Sequence, residues 1–308
     1  MNPMRSSAEV ASGEPVQAAL RRYGYTIEGT TFPTQRPDRT TLSLRTRSGL
    51  PAVAKILPPE RAAQVFTNME QLWRSSFGGR RQPPGLPQPL QLLPEIGAVV
   101  VERVDGQPLA ELGPVTDLRL EGAMRLLVSL HGCDAVPETR RSSRGIVRSM
   151  QRKLAMIAQL APQHASAVAP LIEALEARRP KDTELVPSHG DFSPRNVLMG
   201  RERCVLLDWD RFQRADPARD VTYFAIHDWR ERLRRGRWPD HSLLEKAIGL
   251  YKALRPGADF DQQLGFHIAA GLTRMAASLV QLWPEEAWLV PALAKVALRE
   301  LEEGADGS

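Results

Sequence analysis

The spacing of apolar residues changes period along the chain, and each change marks a change of element. Near the start, apolar and polar positions alternate. Residues 25–32 and 40–46 follow this rule, and Ser48-Gly49 marks a turn before the run Ala52-Val53-Ala54-Lys55-Ile56-Leu57. A period of two is what a strand with one covered face requires. Three consecutive antiparallel strands are therefore expected, preceded by a short helix over 16–24 that Gly24 stops. The period then becomes helical. Over 60–73, Val65 or Phe66, Met69, and Leu72 or Trp73 fall on one face. A Gly- and Pro-rich loop is expected over 77–89 and an apolar strand over 98–102. From there the chain reads as helices: 116–133, 140–178 with Pro180 as the stop, 217–229, 242–254, 261–282 and 284–301. Residues 1–15 read as a loose polar arm and 304–308 as a frayed tail.

One interruption breaks the helical half. Val197-Leu198-Met199 and Cys204-Val205-Leu206-Leu207 are short apolar runs on either side of Gly200-Arg201-Glu202-Arg203, which reads as a β-hairpin. The pattern predicts an α+β protein. A small antiparallel-sheet lobe with one key helix covers 1–104, and a larger, mainly helical lobe covers 105–308. A chain of 308 residues is long enough for two such bodies.

Composition narrows the class. No apolar run approaches the roughly 18 residues of a membrane span, and the N-terminus leads into no apolar segment, so neither a span nor a secretory signal is expected. The two cysteines, Cys133 and Cys204, sit in apolar contexts and are expected to pack as small hydrophobes in a reducing cytoplasm. The net charge of +5 raises the question of nucleic acid. Without a zinc-finger pattern or an aromatic RNA-binding signature, that reading is weak. The arginine-rich stretch Arg140 to Lys153 is expected to be a solvated helix face, and Arg230 to Arg237 forms a second basic cluster.

The hairpin carries the chemistry. The segment before it reads Ser188-His189-Gly190-Asp191-Phe192-Ser193-Pro194-Arg195-Asn196, and Asp208-Trp209-Asp210 follows it. A hairpin brings its flanking loops together, so Asp191, Asn196 and Asp208 are expected to converge. Two carboxylates and an amide oxygen suit a hard cation such as Mg2+. Asp, four residues, Asn, a hairpin and a second Asp is the layout of a protein-kinase catalytic loop and its metal aspartate. His-Gly-Asp in place of His-Arg-Asp, and Asp-Trp-Asp in place of Asp-Phe-Gly, resemble the aminoglycoside phosphotransferase and choline kinase branch of that protein-kinase-like fold. Asp216-Pro217-Ala218-Arg219-Asp220 resembles the same branch.

That resemblance implies roles for further residues. Lys55, in Val53-Ala54-Lys55-Ile56, matches the strand lysine that meets the α- and β-phosphates of ATP, and Glu70 is the expected ionic partner in the following helix, with Glu60 as competitor. Glu102 and Val104 match the hinge whose backbone pairs with adenine. The Gly-rich loop has no counterpart; Ser/Thr hydroxyls or Arg36 and Arg39 are candidates for covering the phosphates. Asp191 is implied as the base, and Asn196 and Asp208 as Mg2+ ligands. Asp210 is either a ligand to a second metal or a loop acid facing water. His131 and His189 are expected to be structural. Three functions fit: transfer of the ATP γ-phosphate to a small-molecule hydroxyl, transfer to Ser or Thr of a peptide, and nucleotide binding without turnover. The intact Lys55, Asp191, Asn196 and Asp208 set argues against the last. The arginine-rich helical lobe tilts the acceptor towards a neutral or anionic molecule, or a peptide, over a typical polycationic aminoglycoside.

Overall fold

The computed structural model describes residues 13–32, 40–181, 184–258 and 260–306. Most of the expected N-terminal arm lies outside them, as do Arg36 and Arg39. The chain forms two compact units, Met1–Gln107 with Met199–Asp210, and Pro108–Leu198 with Arg211–Ser308. The expected division at Val104 kept the whole hairpin with the helical part; in the structure residues 199–210 belong to the sheet-bearing unit.

In the first unit, α1 (Glu14–Arg22) leads into β1 (Thr26–Phe32), β2 (Thr40–Arg45) and β3 (Pro51–Ile56), followed by α2 (Pro59–Arg74), β4 (Pro89–Leu93) and β5 (Ala98–Glu102). The strands form one antiparallel sheet in the order β1-β2-β3-β5-β4. Alternation along β3 buries Ala52, Ala54 and Ile56 against Leu42, Leu44, Val100 and the apolar side of α1. Lys55 therefore points to the other face, paired across the sheet with Thr41 and Val99. Sequence pattern misses β4, which opens on Pro89. An edge strand tolerates that proline because one side of it needs no donor. Gly97, at φ 60°, closes the turn into β5, and a Cβ there would lie 2.0 Å from the Leu57 carbonyl oxygen.

The expected loop after α2 is tied down. Gly85 donates to the Phe77 carbonyl and accepts from the Leu206 amide. Phe77 meets the Trp209 ring edge-on, with centroids 5.7 Å apart, and Trp209 Nε1 donates to Leu206 O at 3.1 Å. Arg203 pairs with Glu102. These contacts hold residues 199–210 to the sheet-bearing unit.

After the two-residue strand β6 (Gln107–Pro108), the second unit contains α3 (Asp117–His131), β7 (Arg140–Arg141), α4 (Ser143–Leu160), α5 (Ala165–Val168), α6 (Pro170–Ala177), β8 (Val186–Ser188), β9 (Val197–Met199), β10 (Cys204–Leu206), β11 (Gln213–Ala215), α7 (Ala218–Arg234), α8 (Ser242–Leu254), α9 (Leu264–Leu282) and α10 (Val290–Asp306); β10 and the end of β9 lie in the residues returned to the first unit. The central helix is α9. It is buried almost all round because α4, α7 and α10 pack on it. The single helix expected to continue through 178 ends at Leu160. Pro162 and Pro170 lack the amide hydrogen that continuation needs, so a 3-10 turn, α5 and α6 follow. Arg140 and Arg141 are not helical; β7 pairs parallel with β11, which pairs antiparallel with β8. Neither Cys133 nor Cys204 is in a disulfide. No helix among the described residues is long and apolar enough to cross a membrane.

One buried carboxylate organises the second unit. Asp220, in the first turn of α7, accepts from Ser188 Oγ at 2.8 Å, His189 N at 2.8 Å and Gly190 N at 2.9 Å. His131 Nε2 lies 3.2 Å from it, and His131 Nδ1 lies 2.8 Å from the Tyr251 hydroxyl, which accepts from Arg255. His131 is structural, as expected. Burial alone would raise the Asp220 pKa, but the bonds from His131 and Ser188 and the nearby imidazoles hold it well below the usual carboxylate range. Burial pushes the His131 pKa down, against the opposing pull of Asp220. Asp220→Ala is expected to cost about 3 kcal/mol or more in urea unfolding, because it strands several buried donors. A depressed carboxylate pKa stabilises the fold above the unfolded value of about 4, and that contribution is lost as pH falls from there through the lower folded-state pKa. The gap between wild type and Asp220→Ala should therefore narrow below about pH 4; a pH-independent gap would contradict this account.

Candidate active site

In the first unit the key contact joins residues far apart in sequence. Lys55 Nζ lies 2.5 Å from Asp208 Oδ1 and 2.6 Å from Asp210 Oδ1. Arg61 Nη2 lies 2.7 Å from the second oxygen of Asp210, whose side chain is only 4% exposed. Asp210 is thus clamped between two cations and does not face water as a loop acid. Asp208 sits at φ 67°, the one non-glycine residue with positive φ among those described. Such a backbone is uncommon outside glycine, though Asp adopts it more readily than most, and it persists only where neighbours impose it. Here the buried Trp209 anchors the next residue.

The expected pairing of Lys55 with Glu70 is not what the structure shows. Glu70 is bonded to Arg74 one turn further along α2, with its side chain 40% exposed. Glu60, the competitor, is exposed. The reason is helix phase. α2 buries Ala62, Val65, Met69 and Leu72, while Arg61 and Asn68, seven positions apart, share a face. Arg61 reaches Asp210, and the buried Asn68 Nδ2 lies 3.5 Å from Trp209 O. Glu70, two positions beyond Asn68, points away. Sequence reasoning missed Arg61 and Asn68, although their spacing marks a polar face. At the end of β5, Glu102 gives its backbone N–H to Gln88 O at 2.9 Å, so that group is already used inside the unit. Val104 is half-buried in the irregular stretch that follows.

In the second unit the Asp220 bonds shape the catalytic-loop candidate from beneath. Gly190 sits at φ 73°, where a Cβ would fall 2.3 Å from Gln213 Nε2 and 2.6 Å from Arg211 O. Only glycine fits, which explains His-Gly-Asp in place of His-Arg-Asp. Phe192 stacks on Phe224 of α7 with ring centroids 5.3 Å apart. Asn196 Nδ2 donates to Asp191 O at 2.8 Å, an orientation that leaves its Oδ1 as the acceptor. The Asp191 carboxylate pairs with Arg274, which also donates to Gly190 O at 2.6 Å and lies 3.6 Å from the Tyr223 ring centroid. Burial opposes the charge on Arg274, but Tyr223 and Asp191 more than offset it, so its pKa is raised. The sequence carried a signal for Arg274: it is the one Lys or Arg in the mostly apolar helix α9.

A cavity of about 640 Å³ opens in the same unit beside this loop. Leu109 and Ala110 bound it on one side, Pro194 and Arg195 on another, and α7 on a third. Among the described residues, no three or more His, Cys, Asp or Glu side chains group as a metal site.

A model of the phosphotransferase enzyme family matches residues 38–256, well over half of the chain. No curated protein matches it. Solved structures share its fold at low identity. Choline kinase LicA from Streptococcus pneumoniae is 12% identical, with 94% of this chain and 98% of that one covered, at a TM-score of 0.63. A spectinomycin phosphotransferase in complex with ADP and spectinomycin is 13% identical, covering 97% and 99%, at 0.62. Macrolide 2'-phosphotransferase MphH from Brachybacterium faecium is 16% identical, covering 94% and 97%, at 0.54. With the protein-kinase-like fold and the family match in place, the chain belongs to the phosphotransferase enzyme family and is an ATP-dependent phosphotransferase with a hydroxyl group as acceptor.

Proposed function

We propose that the enzyme moves the ATP γ-phosphoryl group to a hydroxyl of a small molecule, with Asp191 as the base. Asp191 accepts the hydroxyl proton and aims the oxygen in line with the γ-phosphorus. Lys55 holds the α- and β-phosphates. The Glu102 carbonyl and the Val104 N–H take the adenine edge. Asn196 Oδ1 and the Asp208 carboxylate, assisted by Asp210, are the groups that would hold Mg2+; all are hard oxygen donors, the class this ion requires. The chemistry such an ion would supply is positive charge to offset the negative charge of the phosphates. The observation that carries this reading is the Lys55 ammonium seated on both Asp208 and Asp210 across a gap of 153 and 155 residues. A lysine poised on the metal-candidate acids can turn to phosphate oxygens at little cost, since one anionic partner replaces another. Arg274 and Asn196 support the role of Asp191, because they fix both its carboxylate and its backbone.

Labelled ATP offered with small alcohols and with Ser- or Thr-bearing peptides tests the acceptor class; labelling of peptides alone would overturn it. Asp191→Ala is expected to slow transfer by about 10²- to 10⁴-fold while ATP binding by calorimetry stays within about threefold. Transfer at the wild-type rate would remove Asp191 as the base. Lys55→Met is expected to weaken ATP binding by tenfold or more, and Glu70→Gln to leave it unchanged, because the Glu70–Arg74 pair is an exposed one-turn contact worth about 0.3–0.5 kcal/mol to stability. The opposite ranking would return Glu70 to the lysine.

A further inference from the structure

We propose that the acceptor alcohol carries an oxyanion, a carboxylate or a phosphoryl group, which Arg195 and Arg230 hold in the cavity beside the Asp191 loop. This rests on the phosphotransfer reading and narrows its substrate class. The argument is one of charge placement. Within the cavity wall, Arg230 pairs with Glu286, and Arg234 and Arg235 share Glu231. Arg195 forms no ion pair or hydrogen bond among the described residues, although solvent reaches it and it lines the cavity. Arg230 lines the same cavity and brings a second guanidinium to the wall. Glu286 is taken by Arg230 and leaves Arg195 without a carboxylate of its own, and an oxyanion placed against both guanidinium groups relieves the excess. A planar guanidinium binds such a group through two parallel N–H bonds.

The other polar groups of the wall do not reverse the sign. His227 lines the cavity, but burial pushes its pKa down to about 3, so it is neutral, and its Nε2 is buried without a hydrogen-bond partner. Asp228 is exposed. The far side of the Asp191 loop is also positive. Lys153 is pushed down to about 8 by burial and by Arg211, Arg274, Arg152 and Arg141, and Arg219 down to about 9, chiefly by burial. An amine-bearing acceptor would add a cation to this field; an anionic one is drawn into it. The anionic group takes no part in bond changes. The acceptor hydroxyl oxygen bonds to the γ-phosphorus, the bond to the bridging oxygen of ADP breaks, and the hydroxyl proton passes to Asp191.

The test offers the full chain labelled ATP with four alcohols that differ in charge: glycerate, glycerol phosphate, glycerol and aminopropanediol. The anionic pair should be labelled with kcat/KM at least tenfold above the other two, and the better of the pair tells carboxylate from phosphoryl. Arg195→Glu should reverse that order mainly through KM, and Arg148→Gln, an exposed arginine of α4, should keep it. A preference for glycerol or the amine, or an order unmoved by Arg195→Glu, overturns the proposal. If none is labelled, calorimetric titration with the two anions decides: binding that Arg195→Glu weakens at least tenfold supports it, and absence of saturable binding overturns it. A wild type that neither binds nor turns over ATP would instead fell the phosphotransfer reading, and the anion titration would still report on the cavity.

Discussion

The helical unit depends on one desolvated carboxylate. Asp220 leaves the first turn of α7 and takes three hydrogen bonds from the segment Ser188-His189-Gly190, two of them from backbone amides. A buried anion is tolerable only when its lone pairs are met, and here protein donors meet them. The result is a loop whose path is set one residue before Asp191. α7 also supplies Phe224 against Phe192 and Tyr223 against Arg274, so one helix supports both the loop and the arginine that holds its acid.

Arg274 then decides where the Asp191 carboxylate points. It reaches the loop from the apolar interior of α9 and bonds both the Gly190 carbonyl and the carboxylate. A guanidinium kept charged inside a helical core needs an aromatic face and an anion, and Tyr223 and Asp191 provide them. The same principle operates in the sheet-bearing unit with opposite signs. There a buried acid, Asp210, is held by Lys55 and Arg61, and Asp208 accepts a left-handed backbone beside the buried Trp209. In both units a costly buried charge has its position set by partners that the fold supplies.

Charge is unevenly paired around the Asp191 loop. The cavity wall pairs most of its arginines internally, and Arg195 is the one that is left over. Around the other side of the loop, burial first and then neighbouring arginines push the Lys153 and Arg219 pKa values down. Such a field costs stability, and a binding role for an anion gives it a physical purpose.

Local pattern was enough for much of this. Alternation and helical period located the strands β1, β2, β3 and β5, the helix α2 and most of the later helices. The spacing of Asp191, Asn196 and Asp208 around a hairpin, with Lys55 on an alternating strand, pointed to phosphotransfer, because those features are set by residues close together in the chain. What local pattern could not supply was phase and partnership. Glu70 was placed on the lysine by its distance in sequence, but the packing of Val65, Met69 and Leu72 turned Arg61 and Asn68 to that side instead. Arg274 stood 83 residues from Asp191, and only the burial of α9 brought them together. Residues 199–210 went to the sheet-bearing unit because Gly85, Phe77 and Glu102 hold them there, through contacts between segments about a hundred residues or more apart. Periodicity is written into neighbouring residues; which face meets which partner is decided only when the whole chain has packed.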